Sequence, residues 1–373
     1  MKIILFFTYG ISLLNWKNTG LLNREIKFYE KLYEKYGVST VFVTFGDSAD
    51  LNILKNKDFI TVVPLYTLIK YDKNKYIRIL RSFMASSKLS TIVKDTKIIK
   101  TNQLLGSWLA IIVKIRYKKS LIVRTGYDLI TFSKKNKKSL YKIYFYKCLT
   151  KLALKYSDIY LVSSKTDMDY LSKFSPKYAH KLKIRPNWIE ANDYKEFSLR
   201  NNNTIISVGR LEKQKNYEYL ISKLKKSKLE IDIYGEGSQK NNLIKLAREN
   251  HIKLNIYDPI PNELLLKKLK NYKIFVSSSN FEGNPKAILE AMGAGCVVVA
   301  KNNANIEEII QNNINGILFD DRNDLSKLIN EIMNNEQKWN KLSKKSIKSV
   351  KENNLLENVI SEEYIDFNKL NYS

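Results

Sequence analysis

The stretch FEGNPKAILEAMGAG, Phe281 to Gly295, stands between two apolar runs, KIFVSSS and CVVVA. Apolar run, Gly/Pro turn, short helical segment and apolar run predict strand, turn, helix and strand in succession. Pro285 suits the first helical position, where its missing N–H is no loss, and Gly293 or Gly295 supplies the stop. Ile288, Leu289, Ala291 and Met292 leave this helix apolar almost all round, so it is expected inside an α/β layer with Glu290 partly buried. A buried carboxylate needs a hydrogen-bond or ionic partner. Glu282 adds a second carboxylate just before the helix begins. The N–H groups around Gly283 to Ala287 form a first helical turn whose dipole favours phosphate. Amides for phosphate and carboxylates for hydroxyls are what a nucleotide-sugar requires. Taken singly, Glu290 could instead pair with a lysine of a neighbouring helix, and Glu282 could be a solvated loop residue.

A second motif lies upstream in ISVGRLEKQKNYEYLI, Ile206 to Ile221. A strand ends at Gly209, Arg210 follows at its carboxyl end, and Lys215 precedes the next helix. An Arg fork and a Lys point charge at a strand's end suit a diphosphate. Lys215 could equally be one more solvated lysine in a chain that has many.

Around these motifs the whole chain alternates strand-like runs with helical stretches. KIILFF, VSTVFVTF, KDFITVV, SLIVRT and DIYLVSS are expected strands before Pro186; TIISVG, LEIDIYG, LNIYD, KIFVSSS and CVVVA follow it. NREIKFYEKLYEKYG reads as an amphipathic helix ended by Gly37. The alternation implies α/β architecture with two doubly wound parallel sheets, and a ligand cleft facing the carboxyl ends of the strands. The expected division is a domain over 1–186, a linker over 187–203, a second domain over 204–350 and a helical tail over 351–373.

Composition narrows the chemistry. The chain has 373 residues, two cysteines (Cys148 and Cys296) and two histidines (His180 and His251), with no Cys/His cluster at ligand spacing. A structural zinc site, a Ser/His/Asp machine and a disulfide framework are therefore excluded, and no metal site is expected. MKIILFF is broken by Thr8, Tyr9 and Gly10 and reads as a first core strand, not a signal peptide; no apolar run has the length of a bilayer span. The expected location is cytoplasmic.

Charge is unevenly spread. Residues 1–200 hold 38 Lys and Arg against 15 Asp and Glu, whereas residues 201–373 hold 26 against 22. KYDKNKYIRILRSF, KIRYKKS and KKNKKSLYKIYFYKCLTKLALKYS interleave cations with Tyr, Phe, Ile and Leu, as a face lying on anionic lipid would. Solvated helix faces in a lysine-rich chain would read the same way. Nucleic-acid binding is the rival from another class, but no recognition motif appears and the basic bias avoids the half with the sharpest motifs. A glycosidase would need two carboxylates on opposite sides of the scissile bond.

VGRLEKQKN together with FEGNPKAILEAMGAG resembles the retaining glycosyltransferases of family four, the "group 1" family, whose GT-B fold sets two Rossmann-like domains face to face. Glu282 and Glu290 match that family's paired glutamates. IDIYGEGSQKNNLIKLA, with Gly235 and Gly237, INGILF after Glu308, SDIYLVSSKTDMDYL and IRPNWIE extend the resemblance. The N-terminal half matches in layout and in the Gly10 to Gly20 loop. The resemblance implies that Glu290 takes the ribose hydroxyls of a nucleotide-sugar donor. Arg210 and Lys215, beside Gly209, would take the diphosphate. Glu282 and the backbone of Gly283, Asn284, Pro285 and Lys286 would hold the donor sugar, and Gly235 and Gly20 would line the donor. It further implies retention of anomeric configuration, no required metal or cofactor, a saccharide or lipid-linked acceptor, and a role in bacterial surface polysaccharide or glycolipid assembly. An epimerase on the same frame remains the nearer alternative. Two departures stand out: LIVRTGYDLITF has Arg124, Thr125, Tyr127 and Asp128 but not the family's histidine, and KNNANIEE lacks its glycines.

Overall fold

A computed structural model describes residues 1–190, 193–201, 203–225 and 227–371. Most of the apolar runs read from the sequence are strands covered on both faces, as a parallel sheet requires, while the edge runs KDFITVV and LNIYD are partly exposed. They form two sheets in two units, Met1–Arg185 together with the segment from Val359 onward, and Pro186–Asn358.

In the first unit β1 (Lys2–Phe6), β2 (Ser39–Thr44), β3 (Ile60–Pro64), β4 (Ile98–Thr101), β5 (Ser120–Arg124), β6 (Ile159–Val162) and β7 (Leu182–Ile184) pair in the order β3-β2-β1-β4-β5-β6-β7. All these pairings are parallel, with Ile3 facing Thr40 on one side and Ile98 on the other. Ile3, Ile4, Leu5 and Phe6 are wholly buried. Leu22–Tyr36 is the amphipathic helix foreseen, seating Ile26, Phe28, Tyr29 and Leu32; Gly37 closes it in the left-handed region at φ +63°.

In the second unit β8 (Thr204–Val208), β9 (Glu230–Tyr234), β10 (Lys253–Tyr257), β11 (Ile274–Ser277), β12 (Val297–Lys301) and β13 (Ile317–Phe319) pair in the order β10-β9-β8-β11-β12-β13, again parallel. Side chains alternate between two cores. Ile205, Ile231, Ile274, Val276, Val297 and Val299 enter one; Ile206, Phe275, Val298 and Ala300 enter the other. The helix Lys286–Gly293 packs in the second core through Ile288, Leu289, Ala291 and Met292. Pro285 precedes it as cap in extended conformation, not as first helical residue, and its carbonyl accepts from the N–H groups of Ile288 and Leu289.

Two boundaries differ from the reading of the sequence. The described residues of the segment read as a linker over 187–203 are fastened within the second unit: Ile189 bridges to Leu355, and the Arg200 guanidinium donates to the carbonyls of Tyr272 and Ala294 at 2.8 and 2.9 Å. The tail over 351–373 is divided. Residues up to Asn354 end the helix Glu336–Asn354, while the last helix, Leu356–Asn371, belongs to the first unit from Val359. Ionic partners explain its place. Glu363 takes Lys100 of β4, Asp366 takes Arg185 at 2.7 Å, and Tyr364 stacks on Tyr36 at 3.9 Å between ring centres. Among the described residues no helix is long and apolar enough to cross a membrane.

Each sheet reverses its strand order once, between β1 and β4 and between β8 and β11. In open α/β sheets the crevice outside the carboxyl ends of the strands at such a reversal is where ligands bind.

Candidate functional site

The loops after β8 and β11 meet at the reversal of the second sheet, and hydrogen bonds lace them together. Asn280 N–H donates to the Gln214 carbonyl at 3.0 Å, Ser278 Oγ to the Lys215 carbonyl at 2.9 Å, and Gln214 Nε2 to the Phe281 carbonyl at 2.9 Å. Asn216 Nδ2 donates to Asn280 Oδ1 at 3.0 Å. Lys215 Nζ and Glu282 Oε1 close the join with a 2.6 Å ion pair whose side chains are 17% and 8% exposed. The lysine read as a candidate solvated cation is therefore a paired one, tied to the nearer of the two glutamates.

Two glycines make this geometry possible by lacking a side chain. A Cβ on Gly235, at the end of β9, would lie 2.0 Å from the Gly209 carbonyl oxygen, so only glycine permits the ends of β8 and β9 to approach so closely. A Cβ on Gly209 would lie 2.8 Å from Cε of Lys215 and 3.1 Å from Oη of Tyr217. Burial pushes the Tyr217 phenol well above its usual range, and its hydroxyl has no hydrogen-bond partner among the described residues. Arg210 follows Gly209 at the strand's carboxyl end, exposed to solvent.

Glu282 leads into Gly283, Asn284, Pro285 and Lys286, where the helix Lys286–Gly293 begins. This entry is anchored from the chain segment that opens the unit. Asn187 N–H donates to Asn284 Oδ1 at 2.9 Å, Asn187 Nδ2 donates to the Asn284 carbonyl, and Lys286 Nζ sits 5.2 Å from the centre of the Trp188 ring. One turn into the helix, Glu290 is 5% exposed and accepts at 2.9 Å from Nδ2 of Asn262, the first residue of the helix Asn262–Leu269. Two carboxylates, a lysine, an arginine and a helix N-terminus thus lie on the two loops and one helix at the sheet's reversal.

Of the residues singled out from the sequence, Gly209, Arg210, Lys215, Gly235, Glu282, Gly283, Asn284, Pro285, Lys286 and Glu290 lie in these connected segments of the second unit. Gly20 is in the first unit, in a turn at φ +70° after the helix Leu13–Asn18. Asp128, in the stretch that lacks the family's histidine, is buried and caps the helix Leu129–Lys135 through the Thr131 N–H at 2.6 Å; burial raises its carboxyl above the usual range. Sequence reading missed Gln214, Asn262 and Asn187. Each is an uncharged amide beside a motif residue; Gln214 in VGRLEKQKN and Asn187 in IRPNWIE lay in stretches already marked, and Asn262 did not.

Residues 189–349 match the family model described as glycosyl transferases group 1. This segment, less than half of the chain, is similar to the group 1 glycosyltransferases, and the fold is the GT-B frame of the structural neighbours. The N-acetylgalactosamine-N,N'-diacetylbacillosaminyl-diphospho-undecaprenol 4-alpha-N-acetylgalactosaminyltransferase of Campylobacter jejuni is 30% identical over 166 residues, 41% of this chain and 44% of that protein. The poly(ribitol-phosphate) alpha-N-acetylglucosaminyltransferase of Staphylococcus aureus is 30% identical over 115 residues, 30% of this chain and 23% of that protein. The chain thus spans less than half the length of these curated relatives. Over 99% of its length it superposes on the Anabaena protein HepE, crystallised with UDP and glucose, with a TM-score of 0.74 at 14% identity and all of that chain covered.

Proposed function

We propose that the chain transfers a glycosyl group from a nucleoside diphosphate sugar to a saccharide or lipid-linked acceptor, with retention at the anomeric carbon, in the assembly of a bacterial surface polysaccharide or glycolipid. The observation that carries this reading is the Lys215–Glu282 pair, which locks the loops after β8 and β11 together at the sheet's reversal, with Arg210 exposed beside it. As the bond from the anomeric carbon to the diphosphate oxygen breaks, negative charge builds on the departing phosphate. Arg210 and Lys215 supply the opposing charge, and the N–H groups at the start of the helix Lys286–Gly293 add their dipole. Glu290, fixed by Asn262, accepts from the ribose hydroxyls; Glu282 accepts from the sugar while holding Lys215 in place. The names of the relatives, which include transferases acting on a diphospho-undecaprenol glycan and on poly(ribitol phosphate), support an acceptor of the cell-envelope kind. A lipid-linked acceptor places the enzyme on the cytoplasmic face of an anionic membrane.

The test is thermal stability against UDP, GDP, ADP, CMP and dTDP, repeated with Glu290→Ala. A nucleotide at a hundred times its dissociation constant adds about 2.7 kcal/mol to the folded state. One diphosphate is expected to raise the wild-type melting temperature and leave the variant's unmoved. Equal shifts in both proteins remove Glu290 from the nucleotide site. With the donor class known, the anomeric configuration of the product decides between retention and inversion.

A further inference from the structure

The helix Lys75–Lys88 is inside out. Its buried side chains are Ser82, Ala85 and Ser86, while Tyr76, Ile77, Leu80, Phe83 and Met84 face solvent, Leu80 and Met84 at 67% and 68% exposure. Ordinary core packing puts the large apolar residues inward. The inversion is held in place: Trp108 Nε1 donates to Ser82 Oγ at 2.9 Å and Tyr117 Oη to the Ser86 carbonyl at 3.0 Å, seating the small face on the helix Ser107–Tyr117. That helix packs in turn against Leu140–Tyr156, which buries Leu149, Ala153 and Leu154 yet also carries large apolar residues on its outward face. Leu140, Tyr141 and Tyr144 are 81%, 89% and 70% exposed, with Phe145 and Leu152 also outward. Ile115 is exposed on the helix between them.

Three neighbouring helices of the first unit therefore expose apolar and aromatic side chains in a region with an extreme charge bias. Residues 70–157 hold 22 Lys and Arg against three Asp and no Glu. One of those three, Asp72, is already held by Arg81 at 3.2 Å. Exposed lysines flank the apolar stripes, among them Lys73 and Lys75 at the start of the first helix and Lys134, Lys135, Lys137 and Lys138 just before the third. Apolar side chains that reach into acyl chains, tyrosines at the interface and lysines at headgroup level are the arrangement of a peripheral membrane face. A protein partner for such a face would itself need a long acidic surface, and a second copy of this chain would bring a net charge of +27.

We infer that the outward faces of Lys75–Lys88, Ser107–Tyr117 and Leu140–Tyr156 are where this protein docks on anionic lipid. The inference rests on the peripheral placement proposed above and adds its location. The first and third helices begin at the carboxyl edge of their sheet; Tyr9, just beyond β1, donates its hydroxyl to the Lys75 carbonyl at 3.0 Å. The docking face thus borders the edge where an α/β sheet receives a ligand.

The test is co-sedimentation of the full chain with phosphatidylcholine vesicles, with and without phosphatidylglycerol, at low and high salt. Wild-type protein is expected to pellet only with the anionic vesicles, and less at high salt. A variant carrying Leu80→Ser, Met84→Ser, Leu140→Ser and Tyr141→Ser is expected to bind about tenfold more weakly or less, because buried apolar area sets the non-electrostatic part. These side chains are exposed, so an unchanged melting temperature checks that the variant folds. Wild-type protein that stays in the supernatant overturns the inference, as does a variant that pellets like wild type. A dimer in solution that the variant dissolves, without lipid binding, assigns the face to a second copy and overturns it too. Nucleotide-induced stabilisation in the same samples keeps the two readings apart. Its retention without vesicle binding sinks the docking face alone, and vesicle binding without it sinks the donor reading alone.

Discussion

Each unit contains a lysine paired with a glutamate, and the two pairs do different work. Lys100 and Glu363 are 4% and 1% exposed, on β4 and the last helix, with the Lys100 ammonium 4.8 Å from the centre of the Phe28 ring. Burial lowers the Lys100 ammonium's pKa, and the Glu363 carboxylate beside it pulls the other way. Lys215 and Glu282 are 17% and 8% exposed and join two loops at a strand-order reversal, next to an exposed arginine. The first pair is sealed among rings and fixes a C-terminal helix to the sheet. The second has an open side and neighbours of both signs. A buried ion pair is thus no mark of a functional site by itself; position in the topology and the chemistry left over around it decide.

The comparison breaks most visibly if stability and ligand response do not separate. Removing the Glu363 carboxylate by Glu363→Ala leaves the Lys100 ammonium buried without its partner, which costs about 3–5 kcal/mol. Denaturation by guanidinium followed by circular dichroism is expected to show that loss, and Lys100→Met in the same chain to recover much of it. Protein that remains folded should still respond to nucleotide. If Glu363→Ala abolishes the nucleotide response while the fold is intact, the assignment of this pair to architecture is wrong.

The complementary change acts at the other pair. On the proposed donor site Arg210→Ala and Lys215→Ala would each remove one charge facing the leaving diphosphate, and a loss of about 10²–10³-fold in kcat is expected for either. Arg210 is exposed, so its removal should leave the folding stability within about 0.5 kcal/mol of wild type. Lys215→Ala also deprives Glu282 of its ionic partner, leaving Gln214 Nε2 at 3.5 Å, and should cost measurable stability as well. Turnover of a radiolabelled donor gives the first quantity and thermal melting the second. Unaltered turnover in both variants would falsify the diphosphate role.

A smaller, local effect tests how the second site is assembled. Gly235→Ala puts a methyl 2.0 Å from the Gly209 carbonyl, so the ends of β8 and β9 must part. Overpacking of that kind costs about 1–3 kcal/mol. Because Gly209 carries Arg210, weaker nucleotide binding should accompany the loss of stability; a loss of stability with unaltered nucleotide affinity would make Gly235 a packing residue only.

How much of this was legible in the sequence follows from the range of the forces. KIILF and CVVVA are read directly as strands, since parallel strands covered on both faces are continuous apolar runs. Burial of Glu290 followed from its apolar neighbours within one helix. The Lys215–Glu282 pair joins residues 67 positions apart and Lys100–Glu363 residues 263 apart, and no local pattern announces either. For the same reason the last helix read as a separate tail, although Glu363 and Asp366 bind it to the first unit. Asn262 and Gln214 escaped because a lone amide carries no charge or periodicity to mark it. The helix Lys75–Lys88 is amphipathic on paper, but which face is inward depends on what Trp108 and Tyr117 reach across to hold.

The two cysteines sharpen the contrast between the units at the finest scale. Cys296, at the foot of β12, is fully buried with its sulfur 3.2 Å from the Leu269 carbonyl, and burial pushes its thiol up to about 11. A thiolate is the reacting form, so at pH 8 roughly a thousandth of this thiol is ionised, and what is ionised has no path to solvent. Cys148 lies half-buried on Leu140–Tyr156, the third helix of the docking face. Native protein titrated with a thiol reagent at pH 8 is therefore expected to show one reacting equivalent, assigned to Cys148 by its loss in Cys148→Ser, and a second only after denaturation. Anionic vesicles should slow the reaction of Cys148 and leave Cys296 as inert as before. A Cys148 rate indifferent to bound lipid would place the helix Leu140–Tyr156 outside the membrane contact, leaving Lys75–Lys88 to carry the docking face by itself.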